Sequence, residues 1–131
     1  MTNDTPQKPT SRCRLDRQRR LRSRADFDRV FAAKISAADQ HLVVYALPND
    51  VGFCRVGIVV GKKLGNAVTR NRYKRTLRQA FRLNQHQLPP GCDFLLLPRP
   101  TAEPSADRYR QSLLALARKL QKRLPPSDPT T

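Results

Sequence analysis

The sequence predicts an α+β domain in which helices pack on a small mixed sheet, in the order α-β-β-β-α-β-α. Two observations predict it: apolar residues recur with helical spacing in three segments, and β-branched apolar runs bounded by Gly, Pro and Asn lie between them. A length of 131 residues suits one domain. We predict that residues 15–124 form it, with a disordered basic tail at 1–14 and a disordered tail at 125–131.

The first helix is predicted from about Ser23 to Ala33. Ser23 and Asp26 resemble a capping box, in which side chains satisfy the free backbone N–H groups of the first turn. The apolar residues that follow fall on one face of this helix, namely Phe27, Val30 and Phe31. These features favour a helix that docks by its aromatic side.

Two strands are predicted next, over Leu42 to Leu47 and Phe53 to Val60, with a short strand near Lys34 to Asp39 before them. Both long segments are apolar and rich in β-branched residues. The segment between them, Pro48 to Gly52, contains the residue types of a turn. The pattern therefore indicates an antiparallel hairpin.

A long helix, a strand and a last helix complete the predicted order. The long helix begins at Asn66 or Thr69, either of which suits an N-cap, and runs to about Asn84. The apolar run from Cys92 to Leu97 is bounded by Gly and Pro and suits a buried central strand. A final helix begins near Ser105, and its apolar stripe consists of Leu113, Leu116, Ala117, Leu120 and Leu124.

The charge balance points to a polyanionic partner. The chain contains 26 Lys and Arg against 10 Asp and Glu, a formal net charge of +16. Nucleic acid, an anionic membrane surface and polyphosphate all satisfy such a charge. Because no apolar run approaches about 18 residues and no secretory signal is visible, we expect a cytoplasmic protein.

Metal and nuclease chemistry are disfavoured by the positions of the Cys and His residues. Cys13, Cys54 and Cys92 are widely spaced and form no C-x-x-C pair, so we expect reduced thiols. His41 and His86 have no nucleophile or carboxylate arranged near them in sequence. We therefore expect no catalytic residue in this chain.

All charged residues between Asp50 and Asp93 are basic. They are Arg55, Lys62, Lys63, Arg70, Arg72, Lys74, Arg75, Arg78 and Arg82. Folded surfaces usually mix both signs, so we interpret this run as a surface whose charge is compensated from outside the fold. The abundance of Arg favours bidentate contacts with phosphates.

The long helix separates charge from apolar residues. At about 100° per residue, one half of its wheel contains Arg70, Asn71, Lys74, Arg75, Arg78 and Arg82. Tyr73, Leu77 and Ala80 lie opposite, with Phe81 near the border. We expect the apolar arc to dock on the sheet and the basic arc to face outward.

Three aromatic residues allow two interpretations. Phe27 and Phe31 lie one turn apart on the first helix, and Tyr45 lies in the middle of a strand. They either belong to the core or line a cleft in which unpaired bases stack. The residues themselves leave both open.

The segment from Arg55 to Phe81, with Arg70-Asn71-Arg72 at its centre, closely resembles the bacterial ribonuclease P protein family. The likeness extends from about Arg20-Leu21, through Asp26 to Phe31 and Leu42 to Leu47, to the last helix. It therefore covers most of the chain. The family fold that the resemblance implies is ribosomal S5 domain 2-like, with an unusual left-handed crossover around the signature helix.

The resemblance implies the accessory protein of a ribonucleoprotein endonuclease that removes the 5′ leader from precursor tRNA. Catalysis then belongs to the RNA subunit with Mg²⁺ bound mainly through RNA, and the protein alone binds no cofactor. The implied partners are ribonuclease P RNA and precursor tRNA, with no membrane and no obligate protein partner. A structural RNA-binding protein of ribosomal type is the alternative.

The resemblance also implies residue roles. RNA-binding positions are Lys62, Lys63, Asn66, Arg70, Asn71, Arg72, Lys74, Arg75, Arg78 and Arg82. The positions that match the family's leader-binding cleft are Phe27, Phe31 and Tyr45. Three departures concern the edge of that cleft: Gly61 stands where the family usually has Ser, Gln40 where Arg is common and Leu42 where Phe is frequent.

Overall fold

The computed structural model describes residues 20, 21 and 23–124, and the predicted tails lie outside this range. The helices are α1 (Arg24–Ala33), α2 (Ala67–Asn84) and α3 (Ala106–Arg123). The strands are β1 (Ser36–Ala38), β2 (Leu42–Pro48), β3 (Arg55–Ile58) and β4 (Cys92–Pro98), and a 3₁₀ turn spans Lys62–Leu64. The predicted order of elements is confirmed.

All three helices begin at a predicted cap. The N–H of Asp26 donates to Ser23 Oγ at 3.0 Å, and the N–H of Thr69 donates to Asn66 Oδ1 at 2.9 Å. Ser105 Oγ accepts from the N–H of Arg108 at 3.4 Å. The first N–H groups of a helix have no acceptor within the helix, so these side chains fix where each one starts. Asn66, rather than Thr69, is therefore the cap of α2.

Strand β4 is the centre of a four-stranded sheet with the order β1-β2-β4-β3. It pairs antiparallel with β2, from Leu42 opposite Pro98 to Pro48 opposite Cys92. On its other side it pairs parallel with β3, from Arg55 opposite Asp93 to Ile58 opposite Leu96. The predicted central position of this strand is confirmed.

The predicted hairpin is wrong, because β4 lies between β2 and β3. Strand β4 is apolar on both faces, which is typical of a central strand. A central strand has a neighbouring strand at each edge, and the two strands predicted to form the hairpin, β2 and β3, are these neighbours. The parallel pairing of β3 with β4 requires a crossover connection, and α2 provides it. The left-handedness of this crossover stays a prediction.

The two faces of the sheet are covered unequally. Helices α2 and α3 pack on what we term the closed face, where the sheet contributes Leu42, Val44, Ala46, Val56, Phe94 and Leu96 to the main core. Helix α1 packs on the opposite, open face over a smaller cluster formed by Leu21, Val30 and Leu95. Five partly buried residues complete that cluster: Phe27, Phe31, Tyr45, Leu47 and Leu97.

Candidate nucleic-acid interface

Helix α2 presents one apolar arc and one basic arc. Its apolar arc, Tyr73, Leu77, Ala80 and Phe81, is almost fully buried on the closed face. The predicted orientation is confirmed, although Phe81, expected near the border, is entirely buried. We call the basic surface on the other side the ridge, which consists of Lys62, Lys63, Arg70, Arg72, Lys74, Arg75, Arg78 and Arg82.

The start of the ridge is shaped by a tight turn before α2. Gly65 has φ of +137°, and a Cβ there would lie 3.0 Å from Thr69 Cβ, so a larger residue is disfavoured. Asn66 uses its Oδ1 as the cap of α2, which leaves its NH₂ group for a ligand. Arg70 Nε donates to the Gly65 carbonyl at 3.2 Å. The turn therefore orients the first arginine of the signature.

The ridge cations from Lys62 to Arg78 are not neutralised by the part of the fold that the structure describes. Within residues 20, 21 and 23–124, no carboxylate forms an ion pair with the ridge cations from Lys62 to Arg78. Partial burial lowers the pKa of Arg78, and repulsion by Arg20 lowers it further. Repulsion between neighbouring cations on this surface favours binding of an external anion.

Arg55 does not belong to this uncompensated set, contrary to the sequence-based expectation. Its Nε and Nη2 each donate to a different oxygen of Asp93, both at 2.8 Å. The hydrogen bond with Asp93 is the main cause of a raised Arg55 pKa. Arg55 is therefore compensated inside the fold, by a residue that directly opposes it in the parallel pair β3 and β4.

Asp93 is a fully buried carboxylate with three side-chain partners. Besides Arg55, it accepts hydrogen bonds from Asn49 Nδ2 at 2.7 Å and from Arg29 Nη2. Burial raises the pKa of Asp93, but the hydrogen bonds from Arg55, Arg29 and Asn49 outweigh it and hold the pKa below its ordinary value. The carboxylate therefore stays ionised and joins α1 to the start of β3 and β4.

The three predicted cleft residues lie together on the open face, each half-buried. Phe31 and Tyr45 pack edge to face, with ring centroids 4.9 Å apart. Phe27 packs on Gly57 of β3, where a Cβ would lie 2.7 Å from the Phe27 ring and 2.8 Å from Leu95. The rings thus contribute to the small core and still expose part of their surface.

A cavity of about 250 Å³ connects the aromatic cleft with the ridge. Phe27 and Gly57 line it from the open face, and Lys74 and Arg78 line it from α2. Arg20 and Leu21 also line it, and the Leu21 N–H donates to the Val56 carbonyl at 2.7 Å. An aromatic surface and cations therefore meet at one point, an arrangement suited to a base and its phosphate.

A second hollow lies on the ridge itself. Val68, Asn71, Lys74, Arg75 and Arg78 line a volume of about 340 Å³. Val68 is 76% exposed although it is apolar. Its exposure among cations is visible only in the fold, so no role for Val68 could be predicted from the sequence.

The three departures from the family pattern have different settings. Leu42 is fully buried in the closed-face core, so it does not lie at the edge of the cleft as expected. Gln40 is exposed, and its Nε2 lies 3.3 Å from His41 Nε2. Gly61 is exposed, with open space where a Cβ would stand.

Neither a group of metal ligands nor a membrane-spanning helix is found among the described residues. In the part of the chain that the structure describes, no three His, Cys, Asp or Glu side chains form a group that could hold a metal ion. These residues therefore do not fit a magnesium site. Cys54 and Cys92 are both buried, whereas Cys13 lies outside the described residues. None of the helices described is long and apolar enough to cross a membrane.

Comparison with known proteins gives a consistent result. The family model described as Ribonuclease P matches residues 15–121. A ribonuclease P protein component from Pelotomaculum thermopropionicum is 37% identical over 102 residues, which cover 77% of this chain and 91% of the relative. The corresponding protein of Clostridioides difficile is 40% identical over 86 residues, 65% of this chain and 75% of the relative.

Two solved structures are similar in fold as well as in sequence. The RNase P protein from Thermotoga maritima superposes with a TM-score of 0.69 at 34% identity, covering 76% of this chain and 96% of that protein. The RNase P protein of Staphylococcus aureus superposes with a TM-score of 0.67 at 33% identity, covering 79% and 95%.

Proposed function

The chain belongs to the ribonuclease P protein family, and from this premise we propose that its ridge binds the catalytic RNA while its open-face cleft binds the 5′ leader of precursor tRNA. As the protein component of this tRNA-processing complex, it has ribonuclease P RNA as its partner. The observation that carries the proposal is the ridge, eight cations that no acid interrupts in sequence.

The ridge supports the RNA-binding part of the proposal through its electrostatics. Exposed arginines such as Arg72 and Arg75 present planar groups suited to phosphate oxygens. If about six phosphates are neutralised, the logarithm of the affinity falls with the logarithm of the salt concentration at a slope of roughly −4 to −5. Binding of the catalytic RNA should therefore weaken steeply as salt increases.

The cleft supports the leader-binding part. Its half-buried rings expose surface on which unpaired bases can stack, and its cavity leads to Lys74 and Arg78. A leader strand lying there would place bases on the aromatic residues and phosphates near the ridge. Leader and catalytic RNA would thus be held by adjoining surfaces of one small protein.

We further propose that bond cleavage belongs to the RNA subunit, with Mg²⁺ held by RNA. The protein residues that the structure describes offer positively charged and aromatic groups but no group of metal ligands. What these residues contribute is therefore binding and orientation. No step of the reaction is assigned to a protein side chain.

Reconstitution tests the proposed function. Adding the protein to the bare catalytic RNA at low magnesium should restore removal of the leader. A structural RNA-binding protein of ribosomal type, the alternative, would leave the RNA inactive under the same conditions. Cleavage of precursor transcripts by the purified protein, freed of nucleic acid, would instead refute catalysis by RNA.

The cleft is tested by Phe31→Ala, which removes one ring of the edge-to-face pair. Losing a stacking surface should reduce affinity for leader-bearing substrate by about 1 to 2 kcal/mol and leave affinity for mature tRNA unchanged. Val51→Ala is a suitable control, because Val51 is an exposed apolar residue of the turn after β2. An unchanged preference for the leader in Phe31→Ala would count against the cleft.

A further inference from the structure

We propose that Asp93 is a positioning residue for leader binding, because through Arg29 it holds α1 over the sheet so that Phe27 and Phe31 face the leader. This inference rests on the proposed function of the cleft. It concerns the geometry of that site rather than a contact with RNA, since Asp93 is fully buried.

Asp93 has more positive charge around it than its own single charge requires. Arg55 alone already engages both carboxylate oxygens, at 2.8 Å each. Such a bidentate pair matches one carboxylate with one guanidinium. Arg29 is a second cation on the same carboxylate, so its contact is not needed for neutralisation.

The second cation, Arg29, comes from a different layer of the molecule than the other partners of Asp93. Arg55 lies in β3, next to Asp93 in the sheet, and Asn49 directly follows β2. Arg29 comes from α1, and its side chain donates a hydrogen bond to the sheet through Asp93. Its contact therefore joins two layers of the molecule, whereas the others join neighbouring strands.

Apart from Arg29, helix α1 is attached to the sheet by few fully buried side chains. Only Val30 of its residues is fully buried. Phe27 and Phe31, which also pack against the open face, are half-buried and are the residues proposed to receive bases. A helix held by Val30 and these two rings alone would be freer to shift when the rings engage a ligand. The Asp93 contact is independent of the rings.

The position of Arg29 makes the coupling direct. Arg29 lies two residues after Phe27 and two before Phe31 on the same helix. A displacement of Arg29 therefore displaces both rings relative to Gly57 and Tyr45, their partners in the sheet. Binding sites lose affinity when a rigid surface is misplaced by about 1 Å.

The experiment uses the reconstituted holoenzyme with Arg29→Met, which keeps an unbranched apolar stem and removes the guanidinium that contacts Asp93. Arg24→Met is the matched control, because Arg24 lies on the same helix, loses the same charge and has a side chain that is 91% exposed. We expect KM for leader-bearing precursor to rise about tenfold in Arg29→Met, with kcat at saturation unchanged. Arg24→Met should stay close to the parent protein.

A spectroscopic measurement distinguishes positioning from general destabilisation. The ring-proton NMR shifts of Tyr45 depend on the Phe31 ring, whose centroid is 4.9 Å away. They should change in Arg29→Met, while the shifts of Phe94 in the closed-face core should not. Arg29→Lys, which keeps the charge, should recover part of the KM and provides a second variant should Arg29→Met fold poorly.

The outcomes separate this inference from the function on which it rests. Equal KM values for Arg29→Met and Arg24→Met, with Phe31→Ala still losing its preference for the leader, would overturn the role of Asp93 alone. If Phe31→Ala also keeps that preference, the leader-binding cleft itself is refuted. A rise in KM together with shifted Tyr45 resonances supports positioning.

Discussion

The closed and open faces of the sheet are built from the same strands but packed in different ways. On the closed face, α2 and α3 cover residues such as Val44, Phe94 and Leu96, all of which are fully buried. On the open face, the helix α1 packs on the sheet, and the aromatic rings at this contact are only half-buried. Alternate residues of β2 and β4 therefore face a dense core on one side and an accessible cleft on the other.

Because of this difference, the closed face mainly stabilises the fold, whereas the open face is available to recognise a ligand. Fully buried apolar groups give the largest hydrophobic stabilisation, whereas half-buried rings retain surface for a ligand. Helix α2 belongs to both parts, because its apolar arc completes the closed core while its basic arc forms the ridge. Substitutions on the two faces should therefore affect different measurements.

The largest expected effect tests the closed face. Phe94→Ala should lower the free energy of unfolding by about 3 to 5 kcal/mol, because a fully buried ring is replaced by a cavity. Urea denaturation followed by circular dichroism measures it. Phe31→Ala is the comparison, and its half-buried ring should cost clearly less. Similar losses for both variants would contradict the division between the faces.

The next effect concerns the carboxylate that joins the faces. Asp93→Asn should lower the free energy of unfolding at neutral pH by about 2 to 3 kcal/mol, since charged hydrogen bonds to Arg29 and Arg55 are lost. Because the folded pKa of Asp93 lies below its ordinary value of 3.8, the stabilisation is complete above that value and is lost as the pH falls through the folded pKa.

Acid denaturation of the parent protein and of Asp93→Asn checks the direction of this pH dependence. Between about pH 5 and pH 2 the parent protein should lose more stability than Asp93→Asn, so the two curves converge. Parallel curves would show that Asp93 does not couple folding to pH.

The smallest expected effect belongs to the ridge. Arg75→Gln should weaken binding of the catalytic RNA by about 1 kcal/mol and reduce the magnitude of the salt slope by about 1, as one phosphate contact is lost. Arg118→Gln on α3 is the control, because Arg118 is exposed but lies outside the ridge. Folding should be intact in both. An unchanged salt slope for Arg75→Gln would argue against a phosphate contact.

The helices could be predicted from sequence because their signals are local. Ser23, Asn66 and Ser105 each cap a helix within three residues of themselves. Strand pairing was not predictable in the same way. The partner of β2 is β4, about fifty residues further along the chain, and the turn residues after β2 favoured the nearer strand. The turn residues therefore predicted the wrong partner, because β4, which is buried on both faces, lies between β2 and β3.

In the candidate site too, the parts with local sequence signals were predictable and those that depend on distant residues were not. The ridge is continuous in sequence, so its composition and helical spacing identified it. The role of Asp93 depends on Arg55 and Arg29, which lie 38 and 64 residues away. One signal was present, since a lone carboxylate in the apolar run from Cys92 to Leu97 must be paired when buried. Its partners, however, could be identified only from the fold.

The central place of β4 has a consequence for how the chain acquires its shape. Among the described strands β3 pairs only with β4, so it cannot join the sheet during synthesis until Cys92–Pro98 has left the ribosome, whereas β2 can already pair with β1. Pairings between distant segments are slow to form, so assembly of the sheet is a late event. Pairing of β3 with β4 and packing of their connecting helix α2 on the closed face therefore come together, after β4 has been synthesised.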